Sequence, residues 1–419
     1  MPQPKKDPAR ELVVTGAGVA CHMGHDGTAI ERALREGRNT PFVRWPAAQA
    51  LGMQCQLIGL YPGSLDAAEL GIDKSQARFM SRVALLALRA TRLAVAQSGI
   101  ATRDVAVAVG SGTGDVETHR EIAARLARSE PPRRVAPTVI PRLMASTVSA
   151  NLATVLETTG PSFSATAACT GGAYNILLAA QLIESGHVDA AIAGGADVAD
   201  IHFHAGFDAM RAYTTIDNER PERASRPYAA DRAGFVFSEG AGIVVLEARA
   251  HAEARGATVL GRLLGYGMSS DGTGNMVAPS PEGAELAMRR ALAHAGLAPE
   301  AIDYVNTHAT GTPLGDVSEV RAMRRVFGEH RPAYSSTKGY TGHPVSAAGA
   351  IEAIFTLAML RGGFIAPCPN AEPVDPELLD WPPVVAPVTR TLRCALSNSF
   401  GFGGTNAVLA LGPPDGSSV

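Results

Sequence analysis

Cys169 stands between the alternating stretch Ser162-Phe163-Ser164-Ala165-Thr166-Ala167-Ala168 and a run of small and apolar residues that opens Thr170-Gly171-Gly172. The first stretch predicts a strand of period-two character and the second a buried helix. A cysteine at that junction sits on a strand-to-helix elbow, the arrangement that lifts a nucleophile out of a sheet. Its sulfur faces the positive end of a helix dipole, which predicts a lowered thiol pKa. Free cysteines are commonly inert core residues, so the chemistry depends on what else the chain supplies. Two histidine-bearing segments supply it. His308 lies in Asn306-Thr307-His308-Ala309-Thr310-Gly311-Thr312, a strand end running into a polar loop, where catalytic side chains usually sit. His343 closes Ser335-Ser336-Thr337-Lys338-Gly339-Tyr340-Thr341-Gly342-His343, just ahead of a small-residue helix. A thiolate takes up an acyl group as a thioester, and neutral imidazoles stabilise an oxyanion or enolate. His22, His119, His202 and His251 read as hydrogen-bonded structural histidines.

The elements that must position these groups read as alternating strands and helices. Strands are expected at 12–16 (closing in a glycine turn), 105–109, 188–193 and 242–246, with helices at 29–36 and 79–97. After about residue 255 the pattern restarts, with strands at 259–265, 302–306, 394–397 and 407–411 and helices at 282–295 and 346–360. This order argues for an α/β protein with layered sheets. No repeat is visible in the letters. The Arg- and Pro-rich stretch 125–141 reads as an exposed loop, and the tail 412–419 as loose. Gly110-Ser111-Gly112-Thr113-Gly114 lacks both the spacing of a dinucleotide fingerprint and the lysine of a phosphate loop, so it reads as a structural or substrate-lining turn.

Composition excludes several classes. A formal charge of −3 argues against a general nucleic-acid or membrane-surface binder. Only 5% of residues are aromatic while 44 are glycine, which predicts a core packed from small side chains. The cysteines Cys21, Cys55, Cys169, Cys368 and Cys394 form no CxxC pair and no metal-ligand cluster, as expected of reduced thiols in the cytoplasm. The polar first ten residues do not read as a secretory signal, and no uninterrupted apolar run approaches the ~20 residues that cross a bilayer.

A fourth segment, Asn398-Ser399-Phe400-Gly401-Phe402-Gly403-Gly404-Thr405-Asn406, completes a set whose order resembles the β-ketoacyl-[acyl carrier protein] synthases, the condensing enzymes of fatty-acid elongation, most closely the bacterial type I elongating enzyme. Further stretches that carry the likeness are Arg78-Phe79-Met80-Ser81, Phe207-Asp208-Ala209-Met210 and Met276-Val277-Ala278-Pro279-Ser280. The resemblance implies a thiolase-type fold of five layers (helices, sheet, helices, sheet, helices), built from two similar mixed α/β halves, 1–257 and 258–419, and usually found as a homodimer. It makes Cys169 the acylated nucleophile, and gives His308 and His343 the decarboxylation of a malonyl unit. Lys338 orders the electrostatics around them. The backbone N–H groups of Cys169 and Phe402 form the oxyanion hole, with Phe402 also gating the acyl pocket beside Phe400. Thr310 and Thr312 meet the pantetheine arm, Thr113 lines the acyl tunnel, and Asp316 and Glu319 give acidic support near the lysine. Asn306, Glu352 and Asn398 mark the place of a structural sodium or potassium ion, and no cofactor is obligatory.

The implied partner is an acidic acyl carrier protein in its acyl and malonyl forms, for which Lys74, Arg78, Arg133, Arg134 and Arg211 are the candidate docking cations. Ala309, Gly311, Pro344 and Ser346 depart from the commoner residues of the family, and could reshape the pocket beside the histidines. A noncatalytic chain-length partner is disfavoured by the presence of Cys169. A coenzyme A thiolase is disfavoured because Phe400 to Gly404 stand where its second reactive cysteine belongs. A dedicated ketosynthase of a polyketide or polyene pathway stays open.

Overall fold

The computed structural model describes residues 7–414, and its main sheet has ten strands that fall into two matching sets. The first set is β1 (Leu12–Cys21), β2 (Ala106–Gly110), β3 (Ser162–Phe163), β4 (Ala190–Asp197) and β5 (Gly240–Ala248). The second is β6 (Gly261–Ser270), β7 (Tyr304–Asn306), β8 (Ala333–Ser335), β9 (Ala395–Gly401) and β10 (Thr405–Gly412). Across the sheet the order is β8-β7-β9-β10-β6-β1-β5-β4-β2-β3. Outward from the centre, each set therefore runs first, fifth, fourth, second, third. The directions match as well: the first two pairings of each set are antiparallel and the last two parallel. The sets join only where Leu12, Val13 and Val14 pair with Leu263, Arg262 and Gly261.

Six helices complete the layers: α1 (Arg82–Ser98), α2 (Thr147–Leu156), α3 (Gly171–Glu184), α4 (Pro281–Ala295), α5 (Pro313–Phe327) and α6 (Ala348–Gly362). The helices α1 and α2 cover the outer face of the first set, and α4 and α5 that of the second. Between them α3 and α6 touch strands of both sets, which gives the expected five layers. Both inner helices are apolar around their whole circumference, the pattern of a helix without a solvent face. The segment Val345–Gly362 is long and apolar enough to cross a membrane, yet most of it is buried here between the sheets. The outer helices carry ordinary boundary signals. Ser280 caps α4 by accepting from Glu282 N–H, with Pro281 at its first position, and Gly296 closes it at φ 67°.

The structure departs from expectation in four places. Strand β1 does not end at Gly16 but runs on to Cys21 past a register shift. A Cβ at Gly16 or Gly18 would lie 2.1 or 2.0 Å from a carbonyl oxygen of α1, so these glycines serve close packing and not a turn. The alternating stretch 162–168 pairs only at Ser162 and Phe163, because the chain then leaves the sheet edge for the elbow. Part of the stretch 125–141 is helical, with a 3-10 turn at Pro132–Arg134 and a short helix at Val139–Leu143. Of the tail expected to be loose, Gly412 ends β10 opposite Arg262, and residues 415–419 lie outside the described ones.

Candidate active site

The elbow forms as the sequence suggests, at the entrance to α3. Ala168 takes φ 46°, an unusual left-handed conformation for a residue with a side chain, and Thr170 just beyond Cys169 begins the helix, its hydroxyl donating back to Ala167 O. The sulfur lies 3.0 Å from Nε2 of His343, and Cys169 as a whole is only 8% exposed. Burial pushes the Cys169 thiol up to about 12; the Lys338 charge pulls it back, Asp197 pushes the same way as burial, and the N–H groups of Cys169 and Phe402 lower it. The lowered thiol expected from the helix dipole is therefore not found, since loss of water outweighs the donors around the sulfur. The thiol needs a proton acceptor, and His343 is in place. Burial and then the Lys338 charge hold His343 well below 6.5, so its imidazole is neutral and free to accept.

His308 joins this pair edge-on, its ring centroid 5.4 Å from that of His343. Burial, Lys338 and His343 together keep it well below 6.5. The loop that carries it is held by two buried carboxylates. Glu319 on α5 accepts from the N–H groups of His308 and Ala309 at 3.0 and 2.9 Å, and from Asn398 Nδ2 at 2.9 Å. Asp316 accepts from Gly311 and Tyr228 N–H and pairs with Arg232 at 3.3 Å. The acidic pair thus anchors the His308 loop. Lys338, fully buried, has a different ion-pair partner, Glu352 of α6. Burial raises Glu352 and Glu319 to about 7 each. The role of Glu352 escaped the sequence reading, although a lone carboxylate in an otherwise apolar helix is a visible signal for it.

A cleft of about 660 Å³ opens over these groups. Cys169, His308 and His343 lie in it, with Thr310, Thr312, Phe400 and Phe402 among its walls. Phe207 and Met276, from stretches that carry the likeness, add apolar surface, as does Leu314, which the sequence did not mark. Phe402 is 36% exposed and stands 6.2 Å from the Phe207 ring at the entrance. Thr113 does not line this cleft. Its N–H and hydroxyl both donate to Asp197 at 2.9 Å, because the glycine-rich turn folds inward on that carboxylate.

Two family descriptions, "Beta-ketoacyl synthase, N-terminal domain" and "Beta-ketoacyl synthase, C-terminal domain", match residues 9–252 and 260–372. The chain belongs to the β-ketoacyl synthase family. It is 40% identical to the 3-oxoacyl-[acyl-carrier-protein] synthase 1 of Haemophilus influenzae over 409 residues, 96% of this chain and 98% of that protein. The corresponding synthase 1 of Escherichia coli K12 is 40% identical over 408 residues, again 96% and 98% of the two chains. Among solved structures, a beta-ketoacyl synthase from Burkholderia phymatum superposes with a TM-score of 0.90 at 34% identity, covering 96% of this chain and 99% of that one. The ishigamide ketosynthase/chain length factor superposes at 0.87 with 32% identity, covering the same shares. The five layers are those of the thiolase-type fold that ketosynthases share, and the chain is an acyl-transferring condensing enzyme.

The remaining candidates fall into two groups. Of the docking cations, Arg211 lies on the cleft wall, while Lys74, Arg78, Arg133 and Arg134 are exposed elsewhere. None of the five forms an ion pair with another described residue. Of the expected cation set, Asn306 has its amide engaged by Glu352 O, Thr356 and Thr337. Glu352 Oε2, Asn398 Oδ1 and the neighbouring Ser397 Oγ are buried oxygens without a hydrogen-bond partner. Buried polar atoms left over in this way are what a water or an ion satisfies, and oxygen donors suit a hard cation.

Proposed function

We propose that this synthase elongates acyl chains held on an acyl carrier protein by decarboxylative Claisen condensation with malonyl carrier protein. The observation that carries this reading is the buried Cys169, with neutral His343 at 3.0 Å and His308 beside it in one cleft. In the acylation step the Cys169 proton passes to His343 Nε2 while sulfur attacks the thioester carbonyl. The N–H groups of Cys169 and Phe402 take up the oxyanion, and the proton leaves with the pantetheine thiol. No hydrogen bond fixes the tautomer of either imidazole, since both Nδ1 atoms are buried without a partner. Nε2 of His343 therefore accepts while the ring proton sits on Nδ1, and it donates in the malonyl step after the ring exchanges that proton through water between the two half-reactions.

The malonyl carboxylate then leaves as carbon dioxide, and its bonding electrons pass into an enolate whose oxygen His308 and His343 stabilise. Desolvation keeps both rings neutral, so they stabilise by donating hydrogen bonds, without a formal charge. The enolate carbon attacks the acyl-Cys169 carbonyl, collapse of the adduct releases the β-ketoacyl carrier and the thiolate, and the thiolate takes one proton from solvent to become the thiol again. Thr310 and Thr312, 3.3 Å apart at their hydroxyls, would meet the pantetheine arm. Phe402, beside Phe400, would gate the acyl pocket. Lys338, neutralised by Glu352, would hold the local charge constant through the cycle.

The same proposal includes a carrier docked through Arg211 and the exposed cations Lys74, Arg78, Arg133 and Arg134. It also includes a homodimer in the cytoplasm, two folding halves divided at 257/258, and a structural monovalent cation near Glu352, Asn398 and Asn306. No obligatory cofactor enters it. A second reading, a dedicated polyketide or polyene ketosynthase, draws on the likeness to the ishigamide ketosynthase and on Ala309, Gly311, Pro344 and Ser346. The test is to mix the protein with medium-chain acyl carrier and malonyl carrier and weigh every species. A carrier extended by two carbons, with a transient acyl adduct on Cys169, supports the elongating reading. Acylation without extension favours the dedicated pathway, and no acylation removes both.

A further inference from the structure

One buried carboxylate near the nucleophile takes no part in the steps above. Asp197, the last residue of β4, is fully buried and has five protein donors. Its Oδ1 accepts from Ser111 Oγ at 2.7 Å, Gly112 N at 3.0 Å, and both N and Oγ1 of Thr113 at 2.9 Å. Its Oδ2 accepts from Ser346 N at 2.7 Å. Ser111 Oγ accepts in turn from the N–H groups of Thr113 and Gly114, so its own proton points to the carboxylate. Three of the partners are backbone N–H groups that can only donate, and these hydrogen bonds favour the carboxylate form against burial, which raises the Asp197 pKa. No cation pairs with it among the described residues.

The turn that Oδ2 holds is the one that carries His343. His343 is tied on one side to the 236–238 segment, through its N–H to Val236 O at 2.8 Å and its carbonyl to Ser238 N–H at 3.3 Å. Two residues later Val345 takes φ 41°, a conformation that a β-branched side chain avoids and that persists only where its surroundings over-determine it. Ser346 follows, packed so tightly that a Cβ at Gly171 or Gly172, in the first turn of α3, would lie 2.3 or 2.6 Å from its atoms. The strained turn is thus fixed at His343 by the chain beside it and at Ser346 by Asp197.

We propose that Asp197 is a positioning residue of the reaction: it clamps the Ser111–Thr113 turn and the Val345–Ser346 turn on one carboxylate, and so sets the His343 imidazole against Cys169. The proposal rests on the catalytic reading of that pair. It explains why an anion is tolerated beside a nucleophile whose charged form it opposes. It also gives Thr113 a role as a donor to the clamp.

Asp197→Asn tests it, because an amide removes the charge and can turn an N–H toward a set that includes three backbone N–H donors. The groups that set the charge around Cys169 are Lys338, His343 and Asp197 itself, and only the last changes. Condensation kcat is expected to fall about 10–100-fold, with KM for the malonyl carrier within about twofold, as when a reacting group is misplaced. Alkylation of Cys169 by iodoacetamide, mapped by mass spectrometry, is expected to become faster as the opposing charge goes. Cys21, Cys55, Cys368 and Cys394 are all buried and report on the fold: they must stay unlabelled. A parent-like kcat overturns the proposal, and so does a lower kcat with Cys169 labelling unchanged or slower. If the other cysteines label, Thr113→Val replaces this variant, since it removes one hydroxyl donor from a half-buried position. Its kcat should fall at least about threefold with KM unmoved, and a parent-like value overturns the proposal. Cys169→Ala run alongside separates the two readings. If it still condenses, the catalytic assignment fails; if it is dead while Asp197→Asn is parent-like, only the clamp fails.

Discussion

The chain that leads from the third strand of each set to its central helix carries Cys169 in the first half, and Lys338 and His343 in the second. The chain that leaves the second strand carries the Ser111–Thr113 turn in one half and the His308 loop in the other. Each of these latter segments is held by a buried carboxylate, Asp197 in the first half and Glu319 in the second. One strand order therefore presents two matching sets of loops to a shared centre. What differs is the side chains placed on them: the Cys169 thiol in one half, the two imidazoles and the lysine in the other. The halves are alike as scaffold and complementary as reagents, and neither holds a complete site.

The largest expected break of this complementarity is Cys169→Ala. Condensation should fall by at least about 10³-fold, while slow decarboxylation of malonyl carrier continues on the second half's imidazoles. Carbon dioxide release measured against β-ketoacyl product separates the two, and unchanged condensation would remove the core of the assignment. His308→Ala should show the reverse. Acylation, visible as a mass shift on Cys169, persists, but the malonyl step falls by about 10²–10³-fold as a donor to the enolate is lost. A variant that cannot be acylated would contradict this division of labour. A smaller effect is expected outside the centre. Arg133→Glu with Arg134→Glu should raise the carrier's KM about 3–10-fold through weaker steering, and spare turnover of a small-molecule thioester. Equal effects on both substrates would argue against docking at that site.

The smallest effect concerns stability. Both His308 and His343 are held well below 6.5, so below that pH the unfolded chain binds protons that the folded site refuses. Their contribution is fully present above pH 6.5 and is lost as the pH falls below it. Glu319 and Glu352, raised to about 7, act in the opposite sense over this range, so the comparison is between proteins: on going from about pH 7.5 to about pH 5.5 the parent should lose more melting temperature, or gain less, than His308→Ala, which has one such imidazole fewer. An identical change in both proteins would mean that other groups set the acid limb.

Much of the site was legible in local sequence, because elbows, loops after strands and glycine runs are short-range features. Cys169, His308, Lys338, His343 and Phe402 each lie in a segment whose own letters mark it. The partners were less legible. Glu352, expected only at a cation site, is also the counter-ion of Lys338, fourteen residues along the chain, while its second oxygen stays without a partner. Thr113, expected on the acyl tunnel, donates to Asp197, which lies 84 residues away, a contact its own segment does not mark. Burial also reversed the expected thiol pKa, since a dipole can be read from a helix start but loss of water cannot.

The sequence by itself determined the alternating elements, the buried character of α3 and α6, and the reactive side chains with their order along the chain. These follow from periodicity and residue chemistry, which act over a few neighbours. Only the tertiary structure decided that two halves without visible repetition share one strand order. It also decided that Cys169 and His343, 174 residues apart, meet at 3.0 Å, and that Asp197 and Glu319 tie down the loops between them. Those outcomes depend on strand pairing and on which polar groups lose their water together, and both are settled by contacts between distant parts of the chain.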